Sequence, residues 1–379
     1  MNKKTGLLSV LAACLLLATS CKKDDDSNDT KASLSIPSSY VSADYAANVT
    51  TETALKTQLS GLSTYMKTAE SGTTALDLAT LKDKFSTGAT GLKNVTGAYY
   101  ITRIENDWFP VMVAASANTY DPANGATATN GGSFGNRLVD KGAKENLQEI
   151  EKGLYAAALY NHLVTVSEGT LNQAAVDKMI SVVGASPAFP NTNTAANTNS
   201  PDALLALYMA RRDKNDGAGF YGQMKANFLK LQAAVKAGAD YNTEKNEAIA
   251  AIKLNIEKGL MATAVNYGYA AITKFSTTNP PVTTLSGGLH DLGEAIGFIH
   301  GFKAVAQQHR KITDAQIDEI LALLNAPVNA DATVYKFITE GASELQRITQ
   351  ALAKIKAVYG FTDAEMNDFK QNWISVQGR

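Results

Sequence analysis

The sequence is almost free of cysteine. Only two of its 379 residues are cysteine, Cys14 and Cys21, and both lie close to the N-terminus. Beyond Cys21 the chain cannot form a disulfide, a cysteine-ligated zinc or iron–sulfur site, or a thiol nucleophile. Its stability must come from a large hydrophobic core, which a chain with 45% hydrophobic residues can build.

An excess of charge of one sign is also absent. The chain has 35 Lys and Arg against 36 Asp and Glu, and without Lys3 and Lys4 the balance is 33 against 36. Nucleic-acid binding needs a basic stripe or patch, so the composition predicts no nucleic-acid partner.

Several catalytic motifs are missing as well. The sequence has no His-Glu-x-x-His helix, Gly-x-Ser-x-Gly elbow, phosphate-binding loop or dinucleotide fingerprint. An enzymatic function would therefore lack a recognisable nucleophile, and we predict that the protein is not an enzyme.

An export signal is present at the N-terminus. Lys3 and Lys4 precede the apolar run Leu7–Leu17, and the small residues Ala18-Thr19-Ser20 stand directly before Cys21. This order is typical of a bacterial lipoprotein signal, and an apolar run of about 11 residues is too short to span a membrane. We predict that residues 1–20 are removed and that acyl chains on Cys21 anchor the protein to a membrane.

Residues 21–48 are rich in Ser, Asp, Lys and Ala. Because such a segment buries little apolar surface, it is predicted to be a flexible stalk. The acidic run Asp24–Asp26 resembles the export tag of surface-displayed lipoproteins in some Gram-negative bacteria. We expect an outer-membrane protein on the cell surface, with the periplasmic face as the alternative.

From Thr50 onward the apolar residues recur with a helical period, and alternating strand-like runs are nearly absent. The fold class is therefore predicted to be all-α. Two segments interrupt the pattern, Asn118–Gly135 and Ala185–Pro201, and both are predicted to be disordered or variable loops. The predicted helices cover residues 50–71, 76–86, 97–117, 137–166, 170–183, 201–212, 220–237, 243–275, 287–309, 313–325, 334–359 and 363–375.

One segment occurs twice. Ile150-Glu151-Lys152-Gly153-Leu154 recurs 106 residues later as Ile256-Glu257-Lys258-Gly259-Leu260. A glycine inside a helix, followed by alanines, suggests that another backbone approaches closely there. We predict two related helical bundles, with halves near residues 49–200 and 201–379.

Histidine is scarce, and three of the four lie between Ser286 and Arg310. His290 and Glu294 are one helical turn apart, close enough to share a metal ion or a hydrogen bond. They are our candidate metal ligands. Because they flank an apolar helix face, a hydrogen-bonded structural pair is the alternative.

Three further residues are candidates for ligand binding: His300, Glu151 and Glu257. The two glutamates could join Glu149 and Glu168 in a carboxylate-rich cleft opposite His290, or pair with lysines on solvated faces. For a haem, His162 or His300 would be the axial ligand.

Around His290 the chain resembles the imelysin-like lipoproteins, most closely a branch without assigned function. Gly288-Leu289-His290 matches the first half of the family's Gly-x-His-x-x-Glu motif, whereas Gly293 stands at the position of the glutamate, and Glu294 follows it. Further similarity lies in Thr64–Ala69, Arg212–Asn215, Lys311–Asp318 and Val358–Gly360. The resemblance implies that residues 49–379 form an all-helical domain of two bundles.

The family is associated with iron or haem acquisition, and one member was first described as a metal-dependent peptidase. Our first hypothesis is a non-enzymatic binding component of the cell envelope that serves acquisition of iron, haem or another divalent metal, with an outer-membrane receptor or transporter as partner. The alternatives are a metal-dependent peptidase that uses His290 and Glu294, and a structural or protein-interaction lipoprotein without a small ligand.

Lipidation at Cys21 can be tested by substitution. Wild-type protein should incorporate labelled palmitate and sediment with membranes, and Cys21→Ser should do neither, because the acylated atom is gone. Cys14→Ser is the matched control and should remain labelled, since it changes only the removed segment. Palmitate on the Cys21→Ser protein would contradict the prediction.

Overall fold

Helices make up nearly all regular structure in the computed structural model, which describes residues 31–88, 90–192 and 200–379. The all-α prediction is confirmed for this part of the chain. Cys21 and the predicted signal peptide lie outside the described residues. None of the described helices is both long and apolar enough to cross a membrane.

The α-helices are α1 (Tyr45–Asn48), α2 (Thr50–Lys67), α3 (Leu78–Ser86), α4 (Leu92–Val95), α5 (Ala98–Arg103), α6 (Phe109–Ala115), α7 (Asn146–Leu154), α8 (Asn161–Glu168), α9 (Gln173–Val182), α10 (Leu204–Arg211), α11 (Phe220–Ala237), α12 (Asn242–Phe275), α13 (Val282–His300), α14 (Asp314–Leu323), α15 (Lys336–Thr339), α16 (Ala342–Tyr359), α17 (Asp363–Asp368) and α18 (Trp373–Gln377). Short 3₁₀ turns cover Pro122–Asn124, Ala239–Tyr241, Gly301–Ala304 and Gln307–His309.

Two π-helical segments join neighbouring helices without a break. Ile104–Trp108 connects α5 to α6, and Tyr155–Tyr160 connects α7 to α8. The apolar period continues through both segments, which is why the sequence predicts one helix in each region. Such wide turns insert an extra residue and rotate the side chains that follow.

The segment Asn118–Gly135 is folded, so the prediction of a disordered or variable loop is wrong there. Gly132–Ser133 (β1) pairs antiparallel with Leu138–Val139 (β2). A Cβ at Gly131 would lie 1.9 Å from the carbonyl oxygen of Val139. The glycines thus permit close backbone contacts, and the hairpin delays the start of α7 to Asn146.

Residues 34–48, which the sequence places in a flexible stalk, belong instead to the compact unit that begins at Leu34. The Tyr40 side chain is buried, and its hydroxyl donates a 2.5 Å hydrogen bond to Asp177 on α9. Ser42 and Asn48 also donate to Asp177, each over 2.7 Å. One buried carboxylate thereby holds an arm that has little apolar surface of its own.

The core is continuous across the predicted boundary near residue 200. Leu55, Leu59, Leu62 and Met66 of α2 are fully buried, as their spacing predicts. Burying one such side chain contributes roughly 1.5–3 kcal/mol. The halves 49–200 and 201–379 are therefore not two separate bodies, and their relation by an internal repeat stays a prediction.

A close contact in the interior joins α7 to α13. Gly293, Gly297 and Gly301 follow one another at four-residue steps and face α7 and its flanking residues. A Cβ at Gly297 would lie 2.5 Å from the carbonyl oxygen of Gln148, and one at Gly301 would lie 2.2 Å from that of Gly153. This glycine seam lets the two backbones approach more closely than any side chain would allow.

Gly301 lies against the backbone of Gly153, as predicted, but a Cβ at Gly153 itself would first collide with the Tyr100 side chain, 1.6 Å from its hydroxyl oxygen. At Gly259, its counterpart in the duplicated segment, the near neighbour is the Met209 side chain and not a backbone. The two copies also differ locally, because one ends in a π segment and the other lies inside the 34-residue α12.

Gly297→Ala should destabilise the protein by about 2–3 kcal/mol, because the added methyl forces the two helices apart. Gly61→Ala is the matched control. Gly61 lies on the exposed face of α2, and a Cβ at this position would have no atom within 4 Å. That substitution should stabilise by up to about 1 kcal/mol through helix propensity. Urea unfolding measures the change in the free energy of unfolding for both variants, and equal changes would contradict the close contact at Gly297.

Candidate functional site

Charged residues gather around α7 in the protein interior. Every residue from Asn146 to Leu154 is buried, including Glu149, Glu151 and Lys152, and so is Glu145 just before the helix. A buried charge costs several kcal/mol unless a partner compensates it. The surroundings of these residues therefore decide what the site can do.

His290 lies between two carboxylates. Its Nδ1 is 3.0 Å from Glu145 Oε2, and its Nε2 is 3.4 Å from Glu294 Oε1. Its side chain is 21% exposed, whereas those of Glu145 and Glu294 are 0% and 6% exposed. The structure thus brings the predicted pair together and adds Glu145 from the other side of the seam.

The two carboxylates keep His290 protonated. Burial alone would lower the pKa of His290, but hydrogen bonds to Glu145 and Glu294, together with their charges, raise it to about 9. A metal ligand must be a neutral imidazole with a free lone pair. Among the described residues, no three His, Cys, Asp or Glu side chains are arranged to hold a metal ion.

Lys152 extends the network across α7. Its Nζ is 2.6 Å from Glu151 Oε1 and 3.5 Å from Glu294 Oε1. Burial opposes ionisation of Glu294, but Lys152 and then His290 outweigh it and hold the pKa of that carboxyl below its usual range. Glu294 is thus an ionised partner of two cations and not a free base.

Glu151 is the far end of the network. It pairs with a neighbouring lysine as expected, but the pair is buried and does not lie on a solvated face. Ser63 donates a hydrogen bond to its Oε2, and Lys67 Nζ lies 3.5 Å from the same atom. Although burial opposes ionisation, the charge of Lys152 lowers the pKa of Glu151 to about 2. Its two oxygens are both in use.

His300 has a separate environment and is 1% exposed. Its Nδ1 is 2.6 Å from Glu149 Oε1, and its Nε2 is 2.7 Å from the Tyr99 hydroxyl. Burial lowers the pKa of His300. Burial would raise the pKa of Glu149, but Lys144 and His300 outweigh it and lower that pKa to about 2. A neutral His300 that donates from Nδ1 to ionised Glu149 must accept the Tyr99 hydroxyl proton at Nε2.

To bind a haem iron, His300 would have to lose its hydrogen bond to Tyr99. The rings of Tyr100 and Trp108 would also have to move, because their centroids lie 5.7 and 5.5 Å from the imidazole. The other axial candidate, His162, has its Nε2 2.9 Å from Glu52 Oε1. Both ring nitrogens of His300 and the Nε2 of His162 are therefore already paired.

Glu257 does not join the other predicted residues. Its carboxylate accepts hydrogen bonds from the backbone N–H groups of Lys311 and Ile312 and from the Tyr359 hydroxyl. It is buried, so the expected solvated lysine pair is wrong here too. Nor do the carboxylates form one cleft: Glu149 bonds to His300, and Glu168 lies 3.0 Å from His309.

Two partners escaped the sequence analysis, Glu145 and Lys152. Glu145 is 145 residues from His290, and nothing local indicates the pairing. A signal for the seam does exist in the sequence, the glycines at 293, 297 and 301. At Gly293 a Cβ would lie 3.3 Å from the Glu145 Cβ, so the glycine contributes to the close packing of the seam.

Comparisons of the chain with models of known families, with curated proteins and with solved structures found no match. The fold and the site define an all-α protein with a buried network of paired charges.

The His290 network should make stability fall at alkaline pH. The pKa of His290 is 6.5 in the unfolded chain and about 9 when folded, so its contribution is complete below 6.5 and lost as pH rises through 9. The shift corresponds to about 3 kcal/mol.

Urea unfolding at about pH 6 and about pH 10 measures this loss. His290→Gln should lose about 3 kcal/mol less than wild type between the two conditions. His309→Gln is the control and should lose at least as much stability as wild type, because a histidine with a lowered pKa contributes no loss at alkaline pH. A wild-type loss no larger than that of His290→Gln would refute the assignment.

Proposed function

We propose that this protein is a non-enzymatic binding protein of the bacterial cell envelope, anchored at the outer membrane by lipid on Cys21. The order of basic, apolar and small residues before that cysteine supports the anchor. An outer-membrane receptor or transporter is the proposed partner, since a lipid-anchored domain shares a surface with such proteins.

One observation carries the non-enzymatic assignment: half-buried His290 and buried His300 are each used at both ring nitrogens. His290 contacts Glu145 and Glu294, and His300 contacts Glu149 and Tyr99. General acid–base catalysis requires a group that can exchange a proton with a substrate within hydrogen-bond reach. Each of the four ring nitrogens instead contacts another protein group, which argues against the peptidase.

Charge balance supports the same conclusion. Glu294 and Glu151 share Lys152, and Glu149 pairs with Lys144. A divalent metal would add two positive charges to a network that is already compensated by lysines and a protonated histidine. We therefore assign the network to stabilising the fold, and ligand recognition to the surface.

One observation favours the second candidate, a role in acquiring iron, haem or another divalent metal. Glu294 Oε2 is buried without a hydrogen-bond partner among the described residues, although Tyr267 lies beside the carboxylate. A cation that replaces the proton on His290 Nε2 would give this oxygen a partner. The proposal therefore needs a direct metal test.

Residues Leu34–Arg379, the compact unit, should be purified without chelator and analysed for metals by mass spectrometry. We expect no stoichiometric metal and no binding of added Fe²⁺, Zn²⁺ or haem in the micromolar range. His290→Ala/Glu294→Ala should behave in the same way.

The matched control is Glu168→Ala/His309→Ala, which removes the His–Glu pair at 3.0 Å near the surface. Stoichiometric metal that is present in wild type and the control but absent from His290→Ala/Glu294→Ala would overturn the proposal. It would establish the metal-binding function instead.

A further inference from the structure

A surface cavity of about 410 Å³ lies away from the His290 network. One wall is a single face of α12, and the other consists of the last turn of α8 and the segment after α13. The cavity is lined by Ser167, Glu168, Asn246, Ile249, Ala250, Lys253, Leu254, Glu257, Gln308, His309, Arg310 and Lys311. Its volume is typical of a small-molecule site.

Lys253 is the central charged group of this cavity. Its Nζ is 3.4 Å from His309 Nδ1, and His309 Nε2 is 3.0 Å from Glu168 Oε1. In the described part of the chain no carboxylate oxygen forms a salt bridge with Lys253. Its ammonium therefore has a weak partner on one side and the cavity on the other.

The pKa values of Lys253 and His309 indicate that an anion in the cavity would be favoured beside them. Burial lowers the pKa of Lys253, and burial together with the charge of Lys253 lowers that of His309. Glu168 acts in the opposite direction on both residues but does not overcome these effects. An anion beside Lys253 would reverse both shifts, because it favours the charged forms.

Two other charged residues of the lining, Arg310 and Glu257, already have partners, and the Lys311 side chain is exposed to solvent. Arg310 donates to the carbonyl oxygens of Val305 and Ile312 and to Asp314. The carboxylate of Glu257 accepts two backbone N–H groups and the Tyr359 hydroxyl. Lys253 is thus a half-buried cation that a ligand in the cavity can reach.

Apolar side chains stand beside it. Ile249 and Leu254 lie on the same face of α12, and Leu254 is 43% exposed at the cavity although most large apolar residues of the chain are buried. A ligand that covers Leu254 gains hydrophobic contact in addition to the charge pair.

We propose that this cavity binds small organic acids, with the carboxylate on Lys253 and the apolar part against Ile249 and Leu254. The inference is independent of the lipid anchor and of any metal at His290. It assigns to the protein a ligand site for which the sequence carries no motif.

Hexanoate is a suitable probe, and saturation-transfer NMR with Leu34–Arg379 measures its binding. We expect millimolar affinity or tighter. Lys253→Gln should weaken binding about tenfold or more, since a charge-assisted hydrogen bond is lost. Lys245→Gln is the matched control, because Lys245 lies in the first turn of the same helix and outside the cavity.

Hexanol and inorganic phosphate separate the two parts of the site. Both should bind about tenfold more weakly than hexanoate, because one lacks the charge and the other the apolar chain. Hexanoate binding that is absent, unchanged in Lys253→Gln or matched by hexanol would overturn the proposal.

If Lys253→Gln does not fold, reductive methylation of the wild-type protein provides the second measurement. Hexanoate should slow the modification of Lys253 relative to Lys245, and equal rates with and without hexanoate would also overturn the proposal.

Discussion

The contact between α7 and α13 at Gly297 sets the positions of the charged groups around His290 and His300. A methyl group at this position would collide with the Gln148 carbonyl oxygen. Because the backbones meet without side chains between them, charged residues at the edges of the seam are brought within reach of one another. His290 meets Glu145 at one end, and His300 meets Glu149 at the other.

The charges in turn constrain the seam. A buried ion pair contributes little net stability compared with apolar packing, but losing one partner leaves a charge stranded at a cost of about 3–5 kcal/mol. A shift of α13 along α7 by one turn would separate His290 from Glu145 and His300 from Glu149. We infer that the glycines allow the close approach and that the ion pairs select its register.

This division also explains where ligands can act. In the interior, protons and cations are committed to intramolecular partners, so the histidines that attract notice in the sequence serve the fold. At the surface, Lys253 is the group that we propose for ligand binding, and in the described part of the chain its Nζ contacts His309.

The sequence by itself determined the helical class, because apolar residues at a 3.6-residue period bury one face whatever the neighbours are. It also determined that His290 and Glu294 share a face, since that pairing is local. The folding of the segment Asn118–Gly135 and of the arm held by Asp177 was not predictable in this way, because both are ordered by contacts with residues outside the segment. Only the tertiary structure decided that Glu145 stabilises the protonated form of His290 and that Glu257 caps a turn. Both outcomes depend on residues far apart in the chain, and a charge acts on whichever group the fold places within a few ångströms.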